Sequence, residues 1–216
     1  LEDDYVLASE TCAFDTIGAE FLRDVEPGEV ILIDENGVRT LSNGFKKRNH
    51  CLFEFIYFAR PDSYLDKRSV YLSRIEAGKQ LYREYITEAD LVIGAPDSGI
   101  EAAIGYAEES KIPYGEGLIK NRYVGRTFIQ PTQQLREKGV RIKLNALSEN
   151  IKGKRIILVD DSIVRGTTIK RTVQLLKSAG AKEVHVRISS PPVINTCYLG
   201  MDTPNRDSLI AANMTV

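Results

Sequence analysis

The stretch that most restricts the fold is residues 155–179, RIILVDDSIVRGTTIKRTVQLLKSA. An apolar run of strand length ends in two adjacent aspartates, Asp160 and Asp161. Arg165, Gly166, Thr167 and Thr168 make a turn, and helical spacing follows from Thr168 to Ala179, with Gly180 placed to close the helix. A buried strand delivered through a tight turn into a helix is the repeating unit of a parallel sheet. The same grammar recurs around it. ADLVIGA (89–95) is a short apolar strand and Gly99 to Glu109 its helix; IPYGEGLI (112–119) and EVHVRIS (183–189) read as further strands. CLFEFIYF (51–58) reads as a β-rich run stopped by Arg60-Pro61-Asp62, and Ser69 to Tyr85 has helical spacing. The expected fold class is α/β: a mostly parallel sheet with helices on both faces.

Residues 5–45 have a different character. Ala13 to Leu22 is expected to be a short amphipathic helix. VEPGEVILIDENGVRTLSNG then sets two short strands around Asn36-Gly37, a hairpin signal.

Paired carboxylates repel unless a cation or hydroxyl groups share them. The turn after Asp160 and Asp161 offers exposed amides, hydroxyls and a helix N-terminus, all suited to a phosphate. A phosphorylated sugar satisfies both halves: ribose hydroxyls or hydrated Mg²⁺ on the acids, and the 5-phosphate on the turn. A Walker A loop is excluded, because no GxxxxGK[ST] string occurs. A receiver-type phospho-acceptor aspartate would leave the Arg-Gly-Thr-Thr turn without purpose. A second loop, IGAPDSGIEAA (93–103), puts Pro96, Asp97, Ser98 and Gly99 at another strand end. It is weak alone, since Asp and Ser cap many helices, but it is a second anion-competent strand end in the same sheet. Ligands of such sheets sit beyond the C-terminal strand ends. The long polar segment Lys120 to Asn150 carries many cations; it reads either as a solvated surface loop or as a lid over a polyanion.

Composition closes several alternatives. With 216 residues, 43% of them hydrophobic, the chain can bury a core without disulfides. A net charge of −1 argues against a nucleic-acid surface. No apolar run is long enough for a membrane helix, and the first residues lack a signal-peptide pattern, so a cytoplasmic setting is the expectation. The three scattered cysteines, Cys12, Cys51 and Cys197, make neither a disulfide framework nor a zinc motif and read first as buried thiols. The missing initial Met and the end AANMTV suggest a piece of a longer protein.

VDDSIVRGTT resembles the signature of the type I phosphoribosyltransferases, which bind 5-phosphoribosyl-1-pyrophosphate (PRPP). SETCAFD, VEPGEV, FEFIYFARPDS, PDSG, GLIKNRYVGRTFIQP and SSPPVINTCYLGMDTP extend that likeness, along essentially the whole chain, to the glutamine-dependent amidophosphoribosyltransferase family that opens purine synthesis. The resemblance implies a type I phosphoribosyltransferase fold over 46–216, preceded over 1–45 by the end of an N-terminal-nucleophile glutaminase domain. It implies transfer of ammonia, taken from glutamine in the full enzyme, to PRPP, giving 5-phosphoribosylamine and pyrophosphate. Asp160 and Asp161 would contact the ribose hydroxyls and Mg²⁺. Ser162, Ile163, Val164, Arg165, Gly166, Thr167 and Thr168 would cradle the 5-phosphate. Asp97, Ser98 and Gly99 would hold the pyrophosphate, Ser98 lying near Mg²⁺. Lys120 and Arg126, on the loop that runs to about Gln134, would stabilise the departing pyrophosphate. Cys51 and Cys197 would be two of four ligands to a [4Fe–4S] cluster whose remaining pair lies beyond Val216. No side-chain nucleophile is needed, and His185 reads as a packed strand residue. Purine nucleotides would act as feedback inhibitors, and the family implies a homo-oligomer, a tetramer. Two other readings stand beside this one: a PRPP-dependent salvage phosphoribosyltransferase, and a PRPP-sensing regulatory module.

Overall fold

The structure is a computed structural model that describes residues 4–44, 47–121, 144–201, 203 and 205–214. The chain divides into two compact units, Leu1–Ser73 and Arg74–Val216.

The first unit pairs its strands between sequence neighbours, while the Glu10 carboxylate accepts the Arg60 amide at 2.7 Å and the Ser63 hydroxyl at 2.8 Å across it. Helix α1 covers Cys12–Ile17, shorter than the sequence spacing suggests, because the chain turns left-handed at Gly18. The Gly18 amide then closes on the Asp15 carbonyl, leaving Phe21 and Leu22 outside the helix and exposed. The expected hairpin forms, but its two-residue turn is Glu35-Asn36, one position earlier than an Asn36-Gly37 loop would set it, and Gly37 opens the second strand. Strand β1 (Glu29–Asp34) runs antiparallel to β2 (Gly37–Asn43), with Asp34 opposite Gly37 and a register shift between Val30 and Ile31. A two-residue antiparallel pair, β3 (Tyr64–Leu65) and β4 (Arg68–Ser69), follows. The strand expected over CLFEFIYF does not form. Residues Glu54–Phe58 make a π-helical turn instead, with the Ala59 amide on the Glu54 carbonyl. No described neighbour offers this run a ladder, so its backbone groups pair locally; Ile56 alone of its side chains is buried.

Helix α2 (Val70–Glu84) begins where the Ser69 hydroxyl accepts the Leu72 amide. The second unit contains the parallel sheet. Strands β5 (Leu91–Gly94), β8 (Arg155–Asp160) and β9 (Glu183–Ile188) pair in the order β5-β8-β9. Side chains alternate across it, as the two-residue period of a strand requires. Leu91, Ile93, Ile156 and Leu158 pack one face against Ile169, Val173 and Leu176 of helix α5 (Thr167–Ser178) and against Ile151 of the short helix α4 (Ser148–Ile151). Val92, Ile157 and Val159 point the other way, onto Ala102, Ala103 and Tyr106 of helix α3 (Ile100–Ser110), with Leu81 and Tyr82 of α2 beside them. Burying each large aliphatic side chain contributes roughly 1.5–3 kcal/mol, so both layers are firmly held.

Two further expectations need correction. Residues 112–119 do not add a full strand to the parallel sheet. Pro113 has no amide to donate, and the contact is one bridge, Val92 to Tyr114. The strand that does form, β6 (Leu118–Lys120), runs antiparallel to β7 (Leu144–Ala146). The long polar segment is likewise not loop throughout: β7 and α4 occupy its end, because Ile151 there is wholly buried in the sheet's core. Residues 122–143, and Arg126 with them, lie outside the described residues.

Candidate phosphoribosyl site

Strands β5 and β8 are neighbours, so the two loops that leave their C-terminal ends are brought side by side. The Ala95 amide donates to the Val159 carbonyl at 2.8 Å, extending the ladder one residue past β5, and the Gly99 amide turns back to Ala95 at 2.9 Å. Between them Asp97 is exposed. The Ser98 hydroxyl donates across to the Asp161 carboxylate, joining the two loops directly. Ser162 donates its hydroxyl to the other Asp161 oxygen. Asp161, only 7% exposed, is therefore satisfied on both oxygens.

Asp160 sits differently. Its Oδ1 accepts the Asp161 amide at 2.9 Å. Burial, and then the neighbouring charge of Asp161, push its carboxyl up to about 7, although the amide bond works in the opposite direction. An acid held that far above its ordinary range gains from a cation or from hydroxyl donors. Behind the pair, the Ser189 and Ser190 amides donate to the Asp160 and Asp161 carbonyls at 3.0 and 2.9 Å. The end of β9 thus fixes the main chain of both acids. In the sequence the only mark of this role for Ser189 and Ser190 is their place at the end of the strand beside β8.

The turn that follows is built as expected. Gly166 lies at φ +75°, a conformation that costs any residue with a Cβ about 1 kcal/mol or more. It delivers the chain into α5, whose first turn has no side-chain cap, and Thr167 and Thr168 are exposed there. The Ile210 amide, at the head of helix α6 (Ile210–Asn213), holds the Val164 carbonyl at 3.0 Å. Amides and a helix dipole at such a point favour an anion.

Lys120, at the end of β6, forms an ion pair with Asp97. The spacing of the sequence did not predict this partnership, since 23 residues separate the two. His185 pairs with Glu183 of its own strand at 3.1 Å and takes no part in the acidic loops. Of the cysteines, Cys12 is buried while Cys51 is exposed, which corrects the first reading of all three as buried thiols. Cys197 accepts the Leu199 and Met201 amides on its sulfur at 3.4 and 3.5 Å, and these amides draw its thiol below the usual range. That environment suits a thiolate ligand. Among the described residues no group of three or more His, Cys, Asp and Glu could hold a metal ion by itself.

Residues 62–189, which contain both loops, match the phosphoribosyl transferase domain. The chain belongs to the phosphoribosyl transferase family. Within that family its likeness is to amidophosphoribosyltransferases: 58% identity to that of Archaeoglobus fulgidus, over 100% of this chain and 48% of the relative, and 55% to that of Bacillus subtilis, over 99% and 45%. A solved structure described as glutamine PRPP amidotransferase from B. subtilis complexed with ADP and GMP superposes with a TM-score of 0.87 at 55% identity. It covers 96% of this chain and 46% of that one. A second, described as the allosteric regulatory enzyme of purine biosynthesis, gives the same TM-score of 0.87. The parallel α/β sheet read from the strand–turn–helix pattern, and the type I phosphoribosyltransferase fold that the resemblance implied, are thus the fold observed. The chain spans about half the length of the relatives it matches.

Proposed function

We propose that this chain is the phosphoribosyl-transfer part of an amidophosphoribosyltransferase, in which ammonia displaces pyrophosphate from PRPP to give 5-phosphoribosylamine. The observation that carries the reading is the Ser98–Asp161 bond, which ties an acidic strand end to a second, anion-competent one. A ligand with a diol between two phosphoryl groups matches that arrangement. Asp160 and Asp161 take the ribose hydroxyls. Residues 162–168 close on the 5-phosphate, and Asp97, Ser98 and Gly99 lie under the pyrophosphate. Lys120 and Arg126 answer the charge that develops as pyrophosphate leaves. The chain's own work is binding, orientation and exclusion of water from a cation-like sugar.

Mg²⁺ fits the donor set, since Asp160 is a half-buried carboxyl with a raised pKa and Ser98 and Asp161 stand beside it; when bound it would supply charge neutralisation at the pyrophosphate. The amides on the Cys197 sulfur support its reading as one of four thiolate ligands to a [4Fe–4S] cluster in the longer polypeptide, with Cys51 assigned as a second by the family resemblance alone. Residues 1–45 are read as the end of a glutaminase domain that supplies the ammonia, and 46–216 as the transferase domain. Purine nucleotides are read as feedback ligands, a reading supported by the relative complexed with ADP and GMP. A homo-oligomer and a cytoplasmic setting complete the reading; no helix among the described residues is long and apolar enough to cross a membrane.

The test is to give the full-length protein PRPP, Mg²⁺ and either ammonia or a panel of free purine and pyrimidine bases. Pyrophosphate release with ammonia is expected. Release with bases alone would assign a salvage enzyme, and PRPP binding without release would assign a sensor.

A further inference from the structure

Asp97 poses a chemical difficulty. Its loop is the one read above as receiving pyrophosphate, yet it presents a carboxylate, 72% exposed, to a ligand of high negative charge. An anion placed against an anion weakens binding unless something else holds it. What holds it is the Lys120 ammonium, half exposed at the end of β6. Both backbones are fixed. Lys120 stands opposite Leu144 in the β6–β7 ladder. Asp97 lies between the Ala95 amide bound to Val159 and the Ser98 hydroxyl bound to Asp161. The cation is therefore aimed at the pyrophosphate loop by a carboxylate with no anion-binding role of its own.

We infer that Asp97 is the positioning residue for Lys120: it holds the ammonium at the mouth of the pyrophosphate loop, so that Lys120 can meet the leaving group. This rests on the PRPP reading above. An ammonium has three donors, so Lys120 can keep one on Asp97 and turn the others to pyrophosphate. In the transfer step the C1–O bond breaks, with its electron pair going to pyrophosphate. The lone pair of ammonia forms the C1–N bond, and the proton lost by nitrogen goes to water. Charge grows on the leaving oxygen as that bond breaks, so a well-aimed Lys120 acts on kcat more than on KM.

The experiment is a double-mutant cycle in the full-length protein, with ammonia and PRPP·Mg²⁺, folding being checked by circular dichroism. Lys120→Gln should lower kcat about 100-fold. Asp97→Asn should lower it about 10- to 100-fold, as a misaimed group does, without raising KM for PRPP. Lys120→Gln with Asp97→Asn should be no worse than Lys120→Gln alone, because Asp97 acts only through Lys120. Asp97→Glu, which keeps the charge, should recover most of the activity; it also carries the test if Asp97→Asn does not fold. Losses that multiply in the double variant, or a raised KM with intact kcat in Asp97→Asn, would overturn the assignment. Failure of the unaltered protein to bind PRPP would instead remove the reading on which it rests.

Discussion

The two acids of one loop have different surroundings. Asp161 is saturated by two serine hydroxyls, whereas burial and its neighbour's charge raise the Asp160 carboxyl to about 7. The double substitution Asp160→Asn with Asp161→Asn keeps shape and removes both charges, although the amide introduced at position 161 leaves only one oxygen to accept, so one of the two serine hydroxyls must turn to accept instead. It should reduce Mg²⁺-dependent PRPP affinity at least 100-fold while moving the urea midpoint little; isothermal titration and denaturation on the same samples separate the two effects. Asp90 is the opposite case. Its carboxylate accepts the Arg155 amide at 2.8 Å and the guanidinium at 2.9 Å, which hold it at about 2. The folded value lies below the ordinary one of about 4, so this contribution to stability is complete above about pH 4 and is lost as pH falls through about 2. The difference in urea midpoint between the unaltered protein and Asp90→Asn should hold steady from pH 7 to 5 and shrink steadily below 4.

At the scale of elements, the crossing of α2 and α3 is the feature least visible in the sequence. A Cβ at Gly105 would fall 1.9 Å from the Ile75 carbonyl oxygen, and one at Gly78 the same distance from that of Ala102. The two backbones touch, with the buried Arg74–Glu101 pair at 3.6 Å in the same crossing. Gly105→Ala should therefore destabilise the protein by about 3 kcal/mol or more, despite alanine's better helix propensity, and urea denaturation would show it. A glycine within a helical pattern reads locally as a weakness, and only the facing helix gives it a purpose. The run CLFEFIYF has the same lesson in reverse. Its aromatic and β-branched residues favour a strand, but a strand needs a neighbour to pair with, and the turn over Glu54–Phe58 satisfies its amides without one.

Across the whole molecule, the sheet's parallel order follows from alternating apolar strands and helices, and its two packed faces from the two-residue period within LVIG and IILV. The candidate site's loop was legible for a related reason. A loop that must expose amides, hydroxyls and acids within a few residues is written contiguously, so 160–168 could be read from its own composition. What joins separate loops could not. The Ser98–Asp161 bond, the Ser189 and Ser190 amides behind the acids, and the Lys120–Asp97 pair each bring together residues more than twenty positions apart. The chain's sequence alone determined the strand–turn–helix units and the chemistry of each loop, because those depend on neighbours along the backbone. Tertiary structure alone decided which loops meet, which acid is buried and which cation faces which carboxylate, because those depend on the order in which the strands pair.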